Sequence, residues 1–234
     1  MGDKMSDLFT RYLTGDNISF KHAKGISDRS GKEFHLFHEI ILFLGGDAEL
    51  ISETVHIKLK PQTIIVIPKE TYHQVLIKGK QDEYCRCVFQ FYETEGNKTL
   101  VKRTMQGLFV TECDKNILYL FSKMIELAKK QDTTYCDTVS GAVLNLLVDE
   151  IRQKKSMHIE KDLSNALTRQ AIELINNNLT DNLNVESLAQ RLNVSSSTLM
   201  HTFKKTMNIS IHKYIIEKRL ILAHSKFRAA NIPL

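Results

Sequence analysis

The apolar positions change period about halfway along the chain. From residue 34 to residue 92 they fall in short runs, each closed by turn-forming residues. Residues 34–44 (FHLFHEIILFL) are largely apolar and end at Gly45-Gly46-Asp47. Glycine accepts positive φ without strain, so this cluster between two extended runs predicts a hairpin. Residues 54–60 alternate, with Val55, Ile57 and Leu59 on one face and His56, Lys58 and Lys60 on the other. The run TIIVI follows Pro61 and closes at Pro68, and another spans His73 to Ile77. Residues 84–92 alternate again, which predicts Cys85, Cys87, Phe89 and Phe91 on the inward face. Short strands at roughly ten-residue spacing predict a small barrel or sandwich.

Near residue 112 the period lengthens. Ile117, Leu118, Leu120, Phe121, Met124, Ile125 and Ala128 form a helical stripe that ends in Lys129-Lys130. A second helix is predicted from about Asp137 to Lys155, with Val139, Ala142, Val143, Leu146, Leu147 and Ile151 inward. Such broad stripes fit packing on the barrel or on a second subunit, and the pattern does not choose. After a polar connector at 153–162, a helix from about Leu163 to Asn178 turns Leu167, Ala171, Ile172, Leu174 and Ile175 inward.

The next stretch, LNVESLAQRLNVSSSTLMHTFKKTMNISIHKYIIEKRL, predicts a helix-turn-helix. Asn184 caps a short helix with Leu188, Ala189 and Leu192 inward. Asn193 suits the turn because asparagine tolerates the left-handed conformation. Val194 plugs the joint, and Ser195 caps the second helix. Leu199 and Phe203 pack back on the first helix, with small Ala189 at the close approach. The outward face then reads Ser196, Ser197, Met200, His201, Lys204 and Lys205. About eleven residues at 1.5 Å each give roughly 16 Å, enough to lie in a major groove. Ser197, Met200 and His201 suit base contact, and Lys204 and Lys205 suit phosphate. The third helix begins after Asn208 with Ser210 as cap. It turns Tyr214, Ile215, Leu220, Ala223 and Phe227 to the core and Lys213, Lys218, Lys226 and Arg228 outward, where they could rest over a DNA backbone.

Charge strengthens this reading. The chain of 234 residues has a formal net charge of +5. Residues 161–234 hold ten basic and five acidic residues, so the whole excess sits there. From Arg191 onward eight basic residues face one acidic one. Such confinement implies a polyanionic partner for that third. The overall 42% hydrophobic and 25% charged composition excludes a wholly disordered chain. No apolar run is long enough for a membrane-spanning helix, and the amino end lacks a signal-peptide core, so a cytoplasmic protein is expected. Four cysteines without a Cys-x-x-Cys pair predict reduced thiols and no zinc ribbon.

The stretch Leu188-Ala189, Leu192, Ser195, Leu199, Phe203-Lys204-Lys205, Tyr214-Ile215, Arg219-Leu220 and Ala223 resembles the first helix-turn-helix and linker helix of AraC-type transcription regulators. Asn208 stands where the family usually has glycine. In that family the positions matching Ser197, Met200 and His201 face the bases. The first half resembles the family's cupin-like effector barrel, through His38-Glu39 before Gly45-Gly46 and Ile67-Pro68 with His73. The resemblance implies an α+β chain in three parts: a cupin-like sensing domain at 1–110, a helical dimerisation or coupling segment at 111–160, and a helix-turn-helix with linker helix at 161–234. It implies promoter DNA as partner, a small-molecule effector held near His38, Glu39 and His73, and a homodimer. The family carries a second helix-turn-helix where this sequence stops, at residues 228–234. Fewer phosphate contacts lower the salt slope by about 0.9 each, so weak, salt-sensitive DNA binding is expected of this chain alone.

Two other readings follow from the same residues. The helix-turn-helix could serve as an interaction module without DNA. The barrel could also be a metal-dependent cupin enzyme, since it holds His22, His35, His38, His56, His73 and Glu39. Metal cupins usually present His-x-His, then Glu, then a later His, whereas here the spacing is His35-x-x-His38. Residues three apart on a strand face opposite ways. His35 and Glu39 therefore share a face that His38 does not, and at most part of a metal set converges without a bulge. The expectation is no catalytic residue, no cofactor and no metal.

Overall fold

Alternation on strands and 3.6-residue stripes on helices each find a partner surface in the computed structural model, which describes residues 8–25, 32–53, 55–130, 136–154 and 166–229. Ten strands come first: β1 (Phe9–Thr14), β2 (Ile18–Lys24), β3 (Lys32–Glu33), β4 (His38–Gly45), β5 (Ala48–Ser52), β6 (His56–Lys58), β7 (Thr63–Ile67), β8 (His73–Ile77), β9 (Cys85–Phe91) and β10 (Phe109–Glu112). Helix α1 (Lys98–Thr104) lies between the last two strands. Then follow α2 (Lys115–Lys130), α3 (Cys136–Arg152), α4 (Ala166–Asn177), α5 (Val185–Arg191), α6 (Ser196–Met207) and α7 (Ile211–Ala229). The chain is α+β, with an antiparallel β-domain followed by helices.

Six strands form one sheet in the order β1-β2-β9-β4-β7-β10, and four form a second in the order β3-β8-β5-β6. The hairpin expected at Gly45-Gly46-Asp47 joins β4 to β5. Gly46 adopts φ 104°, where an added Cβ would lie 2.9 Å from the Tyr84 backbone. The central strands of the larger sheet are buried on both faces. Ile41 and Phe43 of β4, Ile65 and Ile67 of β7 and Val88 of β9 pack with Ala48 and Leu50 of the smaller sheet. Ile40, Leu42, Ile64, Val66, Cys87, Phe89 and Phe91 point the other way, against Phe121 and Met124 of α2 and Leu144 and Leu147 of α3. The inward face assigned to Cys87, Phe89 and Phe91 thus meets the helices, not the space between sheets. Cys85 itself is half-buried. Two covered faces explain why the strands read as continuous apolar runs.

The helices α2 and α3 therefore pack on the β-domain. On α2 the buried side chains are Ile117, Phe121, Met124 and Ala128, while Leu118 and Tyr119 are exposed. The α3 stripe is rotated from the expected one: Leu144, Leu147, Val148 and Ile151 are buried, while Val139, Ala142 and Leu146 are exposed. Asp137 fastens the start of α3 to the β1–β2 turn by accepting from the Asp16 amide at 2.8 Å. The strands β1, β2 and β10 and helix α1 were not anticipated. Cys85, Cys87 and Cys113 are free thiols. The expected start of the fourth helix at Leu163, most of the connector, the Phe227 and Arg228 side chains, the first seven residues and the last five lie outside the described residues. Among the described residues no helix is long and apolar enough to cross a membrane.

Candidate functional site

The helix-turn-helix is fixed by its caps. Asn184 accepts from the Ser187 amide at 2.7 Å to start α5. Asn193 takes φ 55° in the turn, and Val194 N–H closes it by donating to the Ala189 carbonyl at 3.0 Å. Ser195 accepts from the Thr198 amide at 3.1 Å to start α6. Asn208 ends α6 at φ 52°, the left-handed position that glycine usually fills. Ser210 then accepts from the Lys213 amide at 3.2 Å, which starts α7. Leu188, Ala189, Leu199, Phe203, Met207, Tyr214 and Ile215 form the core of this unit with Ala171, Ile172 and Ile175 of α4. Arg219 ties α7 back by donating to the carbonyls of Leu179 and Asp181, at 3.0 and 2.7 Å.

With Leu199, Phe203 and Met207 buried, α6 turns its other face to solvent. Ser197, Met200, His201, Lys204 and Lys205 are exposed, and Ser196 is half-buried. Their amino-terminal polar and carboxyl-terminal basic order suits base edges followed by phosphates. On α7 two expected core residues, Leu220 and Ala223, are exposed instead. Lys218 does not face outward either. Its Nζ lies 2.9 Å from Glu53 Oε1, and its side chain is only 15% exposed.

That ion pair belongs to a seam between the β-domain and the helix-turn-helix. The same Glu53 oxygen accepts from Tyr214 Oη at 2.7 Å. Tyr72 Oη donates to the Met207 carbonyl at 2.8 Å. Asn208 Nδ2 donates to Gln74 Oε1 at 3.0 Å. Phe34 packs beside both Tyr72 and Tyr214, with ring centroids 5.1 and 6.0 Å away. Burial, reinforced by Glu53, pushes the Tyr214 phenol far above its usual range. A crevice beside this seam is lined by Ile51, Val55, Thr168, Ile172 and Met207. None of Glu53, Tyr72 and Gln74 was singled out from the sequence. The available signal was Tyr72 itself, since a buried tyrosine needs a partner for its hydroxyl.

The residues expected to share an effector pocket do not converge as a trio. His38 points to the helix-side face, where its Nε2 lies 3.1 Å from Glu93 Oε1. Burial lowers its pKa, and Glu93 partly offsets this. Glu39 and His73 do come together, and His35 joins them. Glu39 Oε2 lies 3.2 Å from His73 Nε2 and 3.5 Å from His35 Nε2. All three side chains are buried. Glu39 lies on the β4 face of Ile41 and Phe43, and His73 on the β8 face of Val75 and Ile77, so both turn between the sheets. His35 precedes β4, and a bend at residues 36–37 brings it in. The limit placed on convergence from strand alternation is therefore corrected, because the third member comes from the other sheet. Burial disfavours the Glu39 charge, but the two imidazoles outweigh it and hold the carboxyl well below the usual range.

Residues 175–215 match the family described as bacterial regulatory helix-turn-helix proteins of AraC type. The chain is similar to the lactose operon transcription activator of Staphylococcus xylosus, 24% identical over 202 residues, covering 85% of this chain and 64% of that protein. It is also similar to the Msm operon regulatory protein of Streptococcus mutans, 29% identical over 124 residues, covering 48% and 45% respectively. The matches thus span less than two thirds of either relative. Among solved structures, an apo ToxT variant from Vibrio cholerae aligns at 13% identity and a TM-score of 0.40, covering 90% of this chain and 96% of that one.

Proposed function

From a chain that carries the AraC-type helix-turn-helix, we propose a transcription regulator that docks α6 in the major groove of promoter DNA. The observation that carries this reading is the division of α6. One face is the core of the unit, and the other presents Ser197, Met200, His201, Lys204 and Lys205 to solvent. Ser197, Met200 and His201 contact bases, with the half-buried Ser196 beside the first turn. Lys204 and Lys205 contact phosphate. Lys218 is engaged with Glu53, so this lysine adds no phosphate contact while the seam holds.

A small effector taken up by the β-domain modulates this binding, through the seam or the crevice beside it. An effector can shift the two states only by its differential affinity for them. The protein works in the cytoplasm as a homodimer. The exposed apolar side chains Leu118, Tyr119, Val139 and Leu146 support the dimer, since they lie on the two helices that cover the β-domain. The three parts keep the roles of sensing (1–110), coupling (111–160) and DNA binding (161–234), and no residue is assigned to catalysis.

The test is a mobility-shift titration with His201→Ala and Lys204→Ala. The first lowers the preference for the cognate site over other DNA. The second weakens both equally and reduces the salt slope by about 0.9. If neither variant alters DNA binding, α6 is not the reader, and an interaction module without DNA becomes the better reading.

A further inference from the structure

The cluster of His35, Glu39 and His73 has a hydrogen-bond problem that its neighbours define. Nδ1 of His35 lies 2.7 Å from the Phe37 carbonyl oxygen, and Nδ1 of His73 lies 3.2 Å from that of Thr71. A carbonyl can only accept, so each Nδ1 carries the hydrogen. In the neutral tautomer, each Nε2 then presents a lone pair. Both lone pairs face Oε2 of Glu39, whose other oxygen accepts from Gln90 Nε2 at 2.9 Å. Nε2 of His35 is buried and meets no hydrogen-bond partner among the described residues. The three ligand atoms lie within 4.8 Å of one another. Three electron pairs thus converge on one point, and a cation there satisfies all of them.

We propose that His35, Glu39 and His73 bind a divalent first-row transition metal, and that its occupancy sets the grip of β8 on the reader helix. Two imidazoles and one carboxylate select zinc, iron(II), cobalt or nickel over magnesium and calcium, which prefer an all-oxygen shell. Three protein ligands leave at least one coordination position for water or an oxygen of a small ligand. The outer shell is already in place. The Phe37 and Thr71 carbonyls set the imidazole tautomers, and Gln90 orients the carboxylate, as outer-shell partners do in metal sites.

The link to the reader follows from strand alternation. On β8 and the residue before it, His73 points inward while Tyr72 and Gln74 point outward. Tyr72 holds the Met207 carbonyl, and Gln74 holds Asn208, at the carboxyl end of α6. The other histidine is the neighbour of Phe34, which packs on Tyr72 and Tyr214. A metal that draws His35 and His73 together fixes the segments carrying all three seam contacts. This consequence rests on α6 being the DNA reader, but the binding and the coupling do not.

The experiment uses the full chain, stripped with a chelator and titrated with cobalt(II), then with zinc. One equivalent binds, giving a visible cobalt d–d band that zinc abolishes, and X-ray absorption of the zinc form shows two imidazole ligands. Glu39→Gln and Gln90→Leu each weaken binding by at least about tenfold. Hydrogen exchange of the last turn of α6 slows by about fivefold or more on metal addition, and Tyr72→Phe combined with Gln74→Ala removes that slowing. Absence of stoichiometric binding by the unsubstituted chain, or binding without imidazole ligands, overturns the site. Binding that leaves α6 exchange unchanged overturns the coupling. None of these readouts involves DNA, so a failure of the DNA-binding reading leaves them intact.

Discussion

Glu53 offers a direct measure of how firmly the reader is held. One carboxylate oxygen accepts from Tyr214 Oη at 2.7 Å and from Lys218 Nζ at 2.9 Å, and the Glu53 and Lys218 side chains are 16% and 15% exposed. At that burial the pair should exceed the surface median of about 0–1 kcal/mol. Hydrogen bonds to charged groups contribute about 1.5–3 kcal/mol each. Lys218 can recover some solvation after truncation, so Glu53→Ala should cost about 2–4 kcal/mol in total. A chain of this length loses about 2–4 °C per kcal/mol, so the helix-turn-helix transition should fall by roughly 5–12 °C. The discriminating assay is a double-mutant cycle of Glu53→Ala with Lys218→Met, followed by urea unfolding. The expected coupling is about 1–2 kcal/mol, above the ~0.3–0.5 kcal/mol within which independent sites add. High salt should reduce it only partly, because the pair is shielded from solvent. Coupling within the additive range would refute the view that this seam holds the two parts together.

Further outcomes follow from other contacts. Gly15→Ala should lower the melting temperature, because a Cβ there would sit 2.1 Å from an Asp137 carboxylate oxygen; an unchanged melting curve would show that the β1–β2 turn is not fastened to α3. Burial, with help from Arg11 and Lys129, lowers the His22 pKa to about 4 from its ordinary 6.5. The unfolded chain therefore takes up this proton first as pH falls, so stability present above pH 6.5 is lost progressively toward pH 4. In pH-dependent urea unfolding, His22→Met should flatten that part of the profile, and an unaltered slope would refute the assignment. Leu146→Glu adds a charge on the exposed face of α3, where Leu146 is 59% exposed. It should convert a dimer to a monomer in sedimentation without unfolding it, and a monomeric unsubstituted chain would remove the role proposed for that face.

What could be read in the sequence divides along the range of the physics involved. Caps and turns are local, so Asn184, Asn193, Ser195, Asn208 and Ser210 were placed before any coordinate was known, and each behaves as its side chain dictates. Helical stripes are semi-local and were read with a phase error on α3 and α7. There Leu146 and Leu220 are as apolar as Leu147 and Ile215, and only the neighbouring surface decides which is covered. The hairpin of β1 and β2 was missed although Gly15-Asp16-Asn17 marks its turn, because the mixed polarity of β1 fits an edge strand with one covered face.

The histidine–glutamate cluster shows the limit most plainly. Alternation correctly separated His38 from Glu39, since it requires only one strand. It could not bring in His73, because β4 and β8 belong to different sheets and share no hydrogen-bonded register. The distance between sheets depends on the side chains that fill the gap: Ile41, Phe43, Leu50, Ile65 and Ile67. The same packing places Tyr72 and Gln74 on the outer side of β8, against Met207 and Asn208. Moving β8 by one residue would turn His73 outward and bring Tyr72 and Gln74 between the sheets. The inward cluster and the outward seam therefore depend on one strand register, which gives an event inside the β-domain a physical route to the reader helix.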